Sequence, residues 1–372
     1  GGLGSGYNSV QSVLRKPVEM DVGIHQRCIL THIAVPPFCG FLQRRPAAVY
    51  RSGRCHGIPT RPACKIFTRG TLRAHDVPGV GSENCIFPAR QIAQSGGSPQ
   101  LDLFRAIVLG IIQGIAEPLP ISSSGHLILV PWLSGWPEHS LTFDVALHGG
   151  TALAIVIYFW RDWITLAGAF FASLHDRDFT SDYQRRLVWY IIAASIPGAI
   201  AGVILESTVE EAFRVPWLVA IMLMAMGAVL LLADRTSSHR RSLSELNLTD
   251  AIIIGVAQAF ALVPGVSRSG VTITTALFRQ MARADAARFS FLLSGPIVTG
   301  AFLYNMAKLL RSGLPADERL PFAAGILVAA GVGYVAIRFL LSYLQKQSMA
   351  LFVYYRFALG AIVLGLFLLR GP

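Results

Sequence analysis

Residues 101–126, LDLFRAIVLGIIQGIAEPLPISSSGH, begin as an apolar helix and then cannot continue as one. Pro118, Pro120 and the run Ser122-Ser123-Ser124-Gly125 forbid a helix from passing straight through. Helix, polar turn and second helix in so apolar a context predict a re-entrant hairpin. Its non-helical backbone survives at membrane depth only where protein or a water-filled cavity covers it. Residues 246–270, LNLTDAIIIGVAQAFALVPGVSRSG, repeat the pattern. Offset by 145 positions, ten of 25 residues are identical, among them Gly110/Gly255, Gln113/Gln258, Ser122/Ser267, Ser124/Ser269 and Gly125/Gly270. Apolar composition alone does not easily put Gln, Ser, Ser and Gly in register. With one residue added the likeness runs on through Phe143/Phe289, Leu147/Leu293, Gly149/Gly295 and Tyr158/Tyr304.

Outward from the two hairpins lie apolar runs at 143–160, 187–205, 215–233, 287–310, 321–341 and 350–369, each near the length that crosses a bilayer. Each repeat, about 101–233 and 246–369, is thus one hairpin plus three spans. Three is odd, so the second repeat starts on the opposite face. The expected fold is an all-α integral membrane protein of six full spans, an inverted-topology repeat whose hairpin turns meet near midplane. Arg161, Arg177, Arg185, Arg186, Arg235, Arg240, Arg241, Arg279, Arg283, Arg288 and Lys346 fall on one side. Arg214, Arg311, Arg319 and Arg370, with Glu206, Glu210 and Glu211, fall on the other. The first side is therefore expected in the cytoplasm, and the first hairpin enters from outside.

Composition agrees. Of 372 residues 53% are hydrophobic and 14% charged, well below the roughly 25% charge of a soluble domain. Residues 1–100 differ in kind: they hold twelve Lys/Arg against four Asp/Glu, all five cysteines (Cys28, Cys39, Cys55, Cys64, Cys85) and no run of span length. Without CxxC spacing the cysteines give little support to a zinc or redox site. This segment reads as a disordered basic extension. A stretch translated from a misplaced start would look the same. No nucleic-acid partner is expected; the bilayer is.

Polar groups inside a membrane are costly and usually functional. The first hairpin carries Gln113, Glu117, Ser122, Ser123, Ser124 and His126; the second carries Gln258, Ser267, Arg268 and Ser269. Gln113 and Glu117, four apart, share a helix face. Arg268 forks onto phosphate oxygens. Ser122, Ser124, Gly125, Ser267, Ser269 and Gly270 lie in turns that open helices, where backbone N–H groups favour an anion. Both sides of such a site favour phosphate. A hydroxyl, Ser123 or a neighbour, could attack phosphorus, or His126 could do so, or His126 could serve as acid or base. Glu117 could hold a divalent metal with Gln113 as a neutral helper. Each residue also has a plainer use: small residues for close helix packing, Glu117 and Arg268 as an ion pair, His126 as a core histidine, the glutamines as helix-to-helix donors. Asp144 and His148, four apart at the start of a span, are expected in an interfacial structural role more than at the site entrance. His139, His175 and His239 are expected in solvated loops. Trp160, Trp163, Trp189, Trp217, Tyr354 and Tyr355 are expected as interfacial anchors.

The stretch from Leu109 to His126 resembles the (E/Q)xxxE motif and following PxSSxGH of bacterial undecaprenyl-diphosphate phosphatases, the bacitracin-resistance proteins. Pro264-Gly-Val-Ser-Arg-Ser-Gly270 resembles their PGxSRSG motif. The likeness covers about 101–372. It implies hydrolysis of undecaprenyl diphosphate to the monophosphate and inorganic phosphate, which recycles the lipid carrier for peptidoglycan synthesis and confers bacitracin resistance. It further implies Mg²⁺ or Ca²⁺, a polyprenyl diphosphate as partner, and a bacterial inner membrane with the active site toward the periplasmic face. By the same likeness Glu117 is the motif glutamate, Ser123 the proposed nucleophile, His126 the acid/base or alternative nucleophile, and Arg268 the phosphate clamp. Gln113 fills the position allowed Glu or Gln, which removes one metal-binding carboxylate. A homodimer is left open. The rival expectation is a transporter that flips the lipid phosphate, since inverted repeats with paired hairpins are a transporter architecture.

Overall fold

The structure, a computed structural model, describes residues 101–370; the extension expected over 1–100 lies outside the described residues. Regular structure is helical throughout apart from one isolated bridge between Arg241 and Met281. In chain order the helices are α1 (Leu103–Ala116), α2 (Ser123–Ser134), α3 (Leu141–Tyr158), α4 (Trp160–Asp176), α5 (Tyr183–Phe213), α6 (Pro216–Thr236), α7 (Leu248–Gln258), α8 (Arg268–Phe278), α9 (Arg283–Ser312), α10 (Arg319–Tyr343) and α11 (Ala350–Arg370). Six of them, α3, α5, α6, α9, α10 and α11, are long and apolar enough to cross a membrane. They coincide with the six predicted runs. Their outer surface is hydrocarbon: Val203 is 89% and Leu369 84% exposed, as suits side chains facing lipid.

Two differences from expectation have local causes. α5 and α9, of 31 and 30 residues, overrun the predicted spans at both ends, where polar residues such as Glu210 and Glu211 at the end of α5 and Arg283 and Asp285 at the start of α9 lower the hydropathy. At α5 the Asp182 carboxylate accepts from the Arg185 N–H at 2.8 Å, so the helix starts four residues before the apolar run. α4 was not expected as a helix at all. It is amphipathic, with Leu166 and Ser173 buried against α5 and Ile164 and Phe171 outward, and too short and mixed to read as a span.

Each broken helix buries one face and leaves the other, Ile111 and Ile115 on α1 and Ile252 and Val256 on α7, exposed. The buried face of α1 lies against α10 and α3, and that of α7 against α5, all full spans. The α1–α10 contact is close enough that a Cβ on Gly110 would stand 2.7 Å from the Gly325 carbonyl oxygen, which only glycine permits. At the end rich in arginine, buried carboxylates tie helix ends together. Asp250 accepts from Arg241 and Arg279, both at 2.6 Å, and Asp234 accepts from Arg283 at 2.5 Å and the Met349 N–H at 3.1 Å. His239, expected to be solvated, bonds through Nε2 to the Asp234 carbonyl at 2.9 Å in the same frame.

Candidate active site

The two turns are built alike. α1 stops at Ala116, the chain bends through Pro118–Ile121, and Ser122 restarts it as the N-cap of α2. Ser122 stands at φ 75°, ψ 95°, and its Oγ accepts from the Gly125 N–H at 3.3 Å. In the second turn α7 ends at Gln258 and a single 3₁₀ turn, 259–262, follows. Ser267 then caps α8 at φ 77°, ψ 120°, accepting from the Gly270 N–H at 3.0 Å. A non-glycine residue at positive φ costs on the order of 1–3 kcal/mol and persists only where its surroundings hold it.

Arg356, in the middle of α11 and wholly buried, is the main holder. Its guanidinium donates to the carbonyls of Leu223 at 2.9 Å, Pro120 at 3.1 Å, Gly265 at 2.6 Å and Val266 at 2.9 Å. One side chain thus satisfies freed carbonyls of both turns, the requirement that broken helices face in a membrane. Ser269 adds a direct tie, its Oγ donating to the Leu119 carbonyl at 3.0 Å. Gly265, at φ 94°, lets the second turn press on α6: a Cβ there would stand 2.6 Å from the Val219 carbonyl oxygen.

Glu117 is the centre of the site. Its Oε2 accepts a very short hydrogen bond from the Ser123 hydroxyl and a longer one from Gln113 Nε2 at 3.3 Å. His148 Nε2 lies 3.3 Å from the same oxygen. Its Oε1 faces Arg268 Nη1 at 3.7 Å, so the one carboxylate is divided between the two hairpins. His126 sits one turn further along α2. Its Nδ1 is 2.6 Å from the Ser122 carbonyl, which can only accept, so Nδ1 carries the proton. Its Nε2 is 2.7 Å from the Tyr355 hydroxyl, and the two rings stack with centroids 5.6 Å apart. A cavity of about 160 Å³ opens beside these groups. Ser124, Asp144, His148, Arg214 and Arg268 make its polar wall; Leu127, Ile128, Ile297 and Phe302 are among its apolar lining.

Gln113, Glu117, Ser123 and Arg268 are therefore brought together. Ser123 is paired with Glu117, while the hydrogen bonds of His126 go to Ser122 and Tyr355. Of the six turn residues expected against phosphate, Ser124 lines the cavity; Ser122 and Ser267 cap helices through the N–H groups of Gly125 and Gly270, and Ser269 ties the turns.

Four further residues belong here. His148 is in the site, not in an interfacial structural role. Tyr355, expected as an interfacial anchor, holds His126. His139, expected to be solvated, is half-buried with its side chain covered, Nε2 lying on Asp144 Oδ1 at 2.5 Å. Arg356 is the fourth, and an arginine inside the apolar run 350–369 is the signal in the sequence of a paired intramembrane charge.

Among the described residues no three His, Cys, Asp or Glu side chains cluster as a metal site. The donors at Glu117 nevertheless suit a divalent ion that takes its remaining ligands from substrate. The carboxylate is joined by an imidazole nitrogen and by Gln113, whose buried Oε1 has no hydrogen-bond partner.

Comparison with known proteins agrees. Undecaprenyl-diphosphatase of Moorella thermoacetica is 50% identical over 271 residues, 73% of this chain and 100% of that protein. The proteins of the same name from Geotalea daltonii and Pelobacter propionicus are 49% and 48% identical, over 71% and 72% of this chain and 98% of theirs. The family described as bacitracin resistance protein BacA matches residues 106–362, both hairpins and nearly all six spans included, and the chain belongs to that family.

Proposed function

We propose that this protein hydrolyses undecaprenyl diphosphate to undecaprenyl phosphate and inorganic phosphate, recycling the lipid carrier for peptidoglycan synthesis and conferring bacitracin resistance. The observation that carries this reading is the Ser123 hydroxyl donating to Glu117 while the other oxygen of that carboxylate faces Arg268. A nucleophile, its base and a phosphate-binding cation meet beside a cavity that is polar at one wall and apolar at the other, as a diphosphate on a lipid tail requires.

The Ser123 oxygen attacks the terminal phosphorus and its proton passes to Glu117. The P–O bond of the anhydride breaks, its electron pair leaving on undecaprenyl phosphate. Arg268 holds the oxygens of the transferred group as charge redistributes. Water then attacks the phosphoserine: the P–Oγ bond breaks, Glu117 returns its proton to Ser123 Oγ, takes the proton of the attacking water and passes it to solvent, and inorganic phosphate leaves. His126, fixed by Ser122 and Tyr355, shapes the turn that presents Ser123. A bound divalent cation, Mg²⁺ or Ca²⁺, would neutralise phosphate charge at Glu117, with Gln113 beside it.

Further elements of the reading have support of their own. The start of α1 lines a cavity with His139, Glu318 and Phe322, near the starts of α3 and α10. The start of α7 is held by Arg241 and Arg279, near the end of α6 and the start of α9. That placement supports entry of the hairpins from opposite faces, as an inverted repeat would have it. The catalytic cavity includes Arg214 and Asp144, at the ends of α5 and α3 away from the arginine-rich side, which favours a periplasmic opening in a bacterial inner membrane. Polyprenyl diphosphate and bilayer are the partners, with no nucleic acid.

Phosphate release from a prenyl diphosphate by purified protein, with and without EDTA, tests the function. Release suppressed by EDTA and restored by Mg²⁺ is expected. No release from folded protein, under conditions that support a control phosphatase, would sink the reading. Acid-quenched trapping of a phosphoenzyme should place the phosphoryl group on Ser123.

A further inference from the structure

A carboxylate oxygen, Glu117 Oε2, and an imidazole nitrogen, His148 Nε2, face one another in the site. His148 Nδ1 lies 2.7 Å from the Asp144 backbone carbonyl, an oxygen that cannot donate, so the ring proton is on Nδ1. The lone pair of neutral His148 is then on Nε2, which points at Glu117 Oε2 across 3.3 Å. An imidazole that donates its far N–H to a backbone carbonyl and presents its other nitrogen beside a carboxylate has the second-shell arrangement of a metal-binding histidine. The spacing fits as well. Two atoms each about 2.1–2.2 Å from one ion stand about 3.0–3.6 Å apart for bond angles between about 90° and 109°.

Two more observations point to the same place. Gln113, fully buried, reaches Glu117 Oε2 with its amide and leaves Oε1 without a hydrogen-bond partner, a neutral oxygen available to a cation. Arg268 stands at the opposite oxygen, Oε1, so the ion and the guanidinium need not compete for one side of the carboxylate. By contrast, both nitrogens of His126 are already engaged, by Ser122 and Tyr355.

We propose that His148 is a protein ligand of the divalent ion, through Nε2, together with Glu117 and the Gln113 amide oxygen. It replaces in function the carboxylate that position 113 lacks. One carboxylate, one imidazole and one amide form a borderline nitrogen–oxygen set. Such a set favours Mn²⁺ and its transition-metal neighbours over Ca²⁺, which prefers oxygen alone. The remaining positions are left for phosphate oxygens. This inference rests on the reading of Glu117 as a metal-holding residue.

The probe is Mn²⁺ alone, added to the full chain in detergent without substrate. Electron spin-echo modulation should show an imidazole nitrogen on bound Mn²⁺ in the wild type and in His126→Asn. The modulation should vanish in His148→Gln, with Mn²⁺ affinity down about 10-fold or more. His148→Asp should bind Mn²⁺ without nitrogen modulation and shift relative affinity toward Ca²⁺; this variant keeps a ligand in place should the glutamine not fold. Modulation that persists in folded His148→Gln or His148→Asp, that disappears in His126→Asn instead, or that is absent from Mn²⁺-loaded wild type overturns the proposal. Failure of the wild type to bind Mn²⁺ overturns it too. Phosphate release in Mg²⁺ is scored separately, so a diphosphatase without nitrogen ligation is told apart from a protein that is no diphosphatase.

Discussion

The turns at Ser122 and Ser267 share a backbone and differ in what they carry. Both cap serines sit at positive φ, both accept from the glycine three residues on, and both touch a second serine two residues on, at 3.4 and 3.2 Å. At matched positions the side chains part: Glu117 against Leu262, Ser123 against Arg268, His126 against Val271. The glutamines show the consequence. Gln113 donates to Glu117, whereas neither amide atom of buried Gln258 has a hydrogen-bond partner, because its counterpart four residues on is a leucine. A shared frame therefore sets position, and a few substitutions on it set chemistry.

Paired changes at twin positions test this division. The largest asymmetry is expected at the carboxylate. Glu117→Gln should lower kcat/KM about 10³-fold, as loss of a base does, while Leu262→Gln should leave phosphate release within a few-fold of wild type. Arg268→Ala and His126→Ala should each lower kcat/KM roughly 10²-fold or more, and Val271→Ala should not. Near wild-type rates in Glu117→Gln or Arg268→Ala would remove that residue from the chemistry, and in His126→Ala would show that the turn presents Ser123 without it.

Arg356 serves both turns, so its loss should not discriminate between them. Arg356→Leu takes the guanidinium donor from the buried turn carbonyls of Pro120, Gly265 and Val266 and should destabilise by about 3 kcal/mol or more. Thermal unfolding in detergent should show a larger fall in Tm than any single cap change produces. An unchanged Tm would mean the turns hold themselves. The caps come next. Ser122→Ala and Ser267→Ala should cost about 1 kcal/mol each, equal within error in Tm. Phosphate release should suffer more from Ser122→Ala, whose neighbour is Ser123. The smallest effect is expected at Gln258→Leu, which removes an unpartnered buried amide and should be neutral or slightly stabilising, whereas Gln113→Leu should lower activity.

Much of this was legible in the chain. Apolar runs of bilayer length marked six spans because hydrocarbon demands a fixed length of helix with its backbone bonds internal. Proline, glycine and serine in the middle of apolar stretches marked the hairpins because no helix passes through them. Register between the two stretches exposed the duplication, and the polar residues the membrane disfavours include Gln113, Glu117, Ser123 and Arg268, which the fold brings together in the candidate site. α4 escaped because an amphipathic helix at a boundary has neither the length nor the uniform hydropathy of a span.

Pairings were decided by tertiary structure. His148 lies 31 residues from Glu117 in sequence, and Tyr355 lies 229 from His126; no local pattern joins them. Composition could not say that Ser123 meets Glu117 while His126 turns to Tyr355, because a hydrogen bond is settled over a few tenths of an ångström by how α2, α3 and α11 pack. Nor could it say that Arg356 holds the two turns together, since an arginine in an apolar run shows only that some partner is needed. The sequence by itself determined where the backbone must leave the helix and which polar groups must therefore find partners. Packing chose the partners.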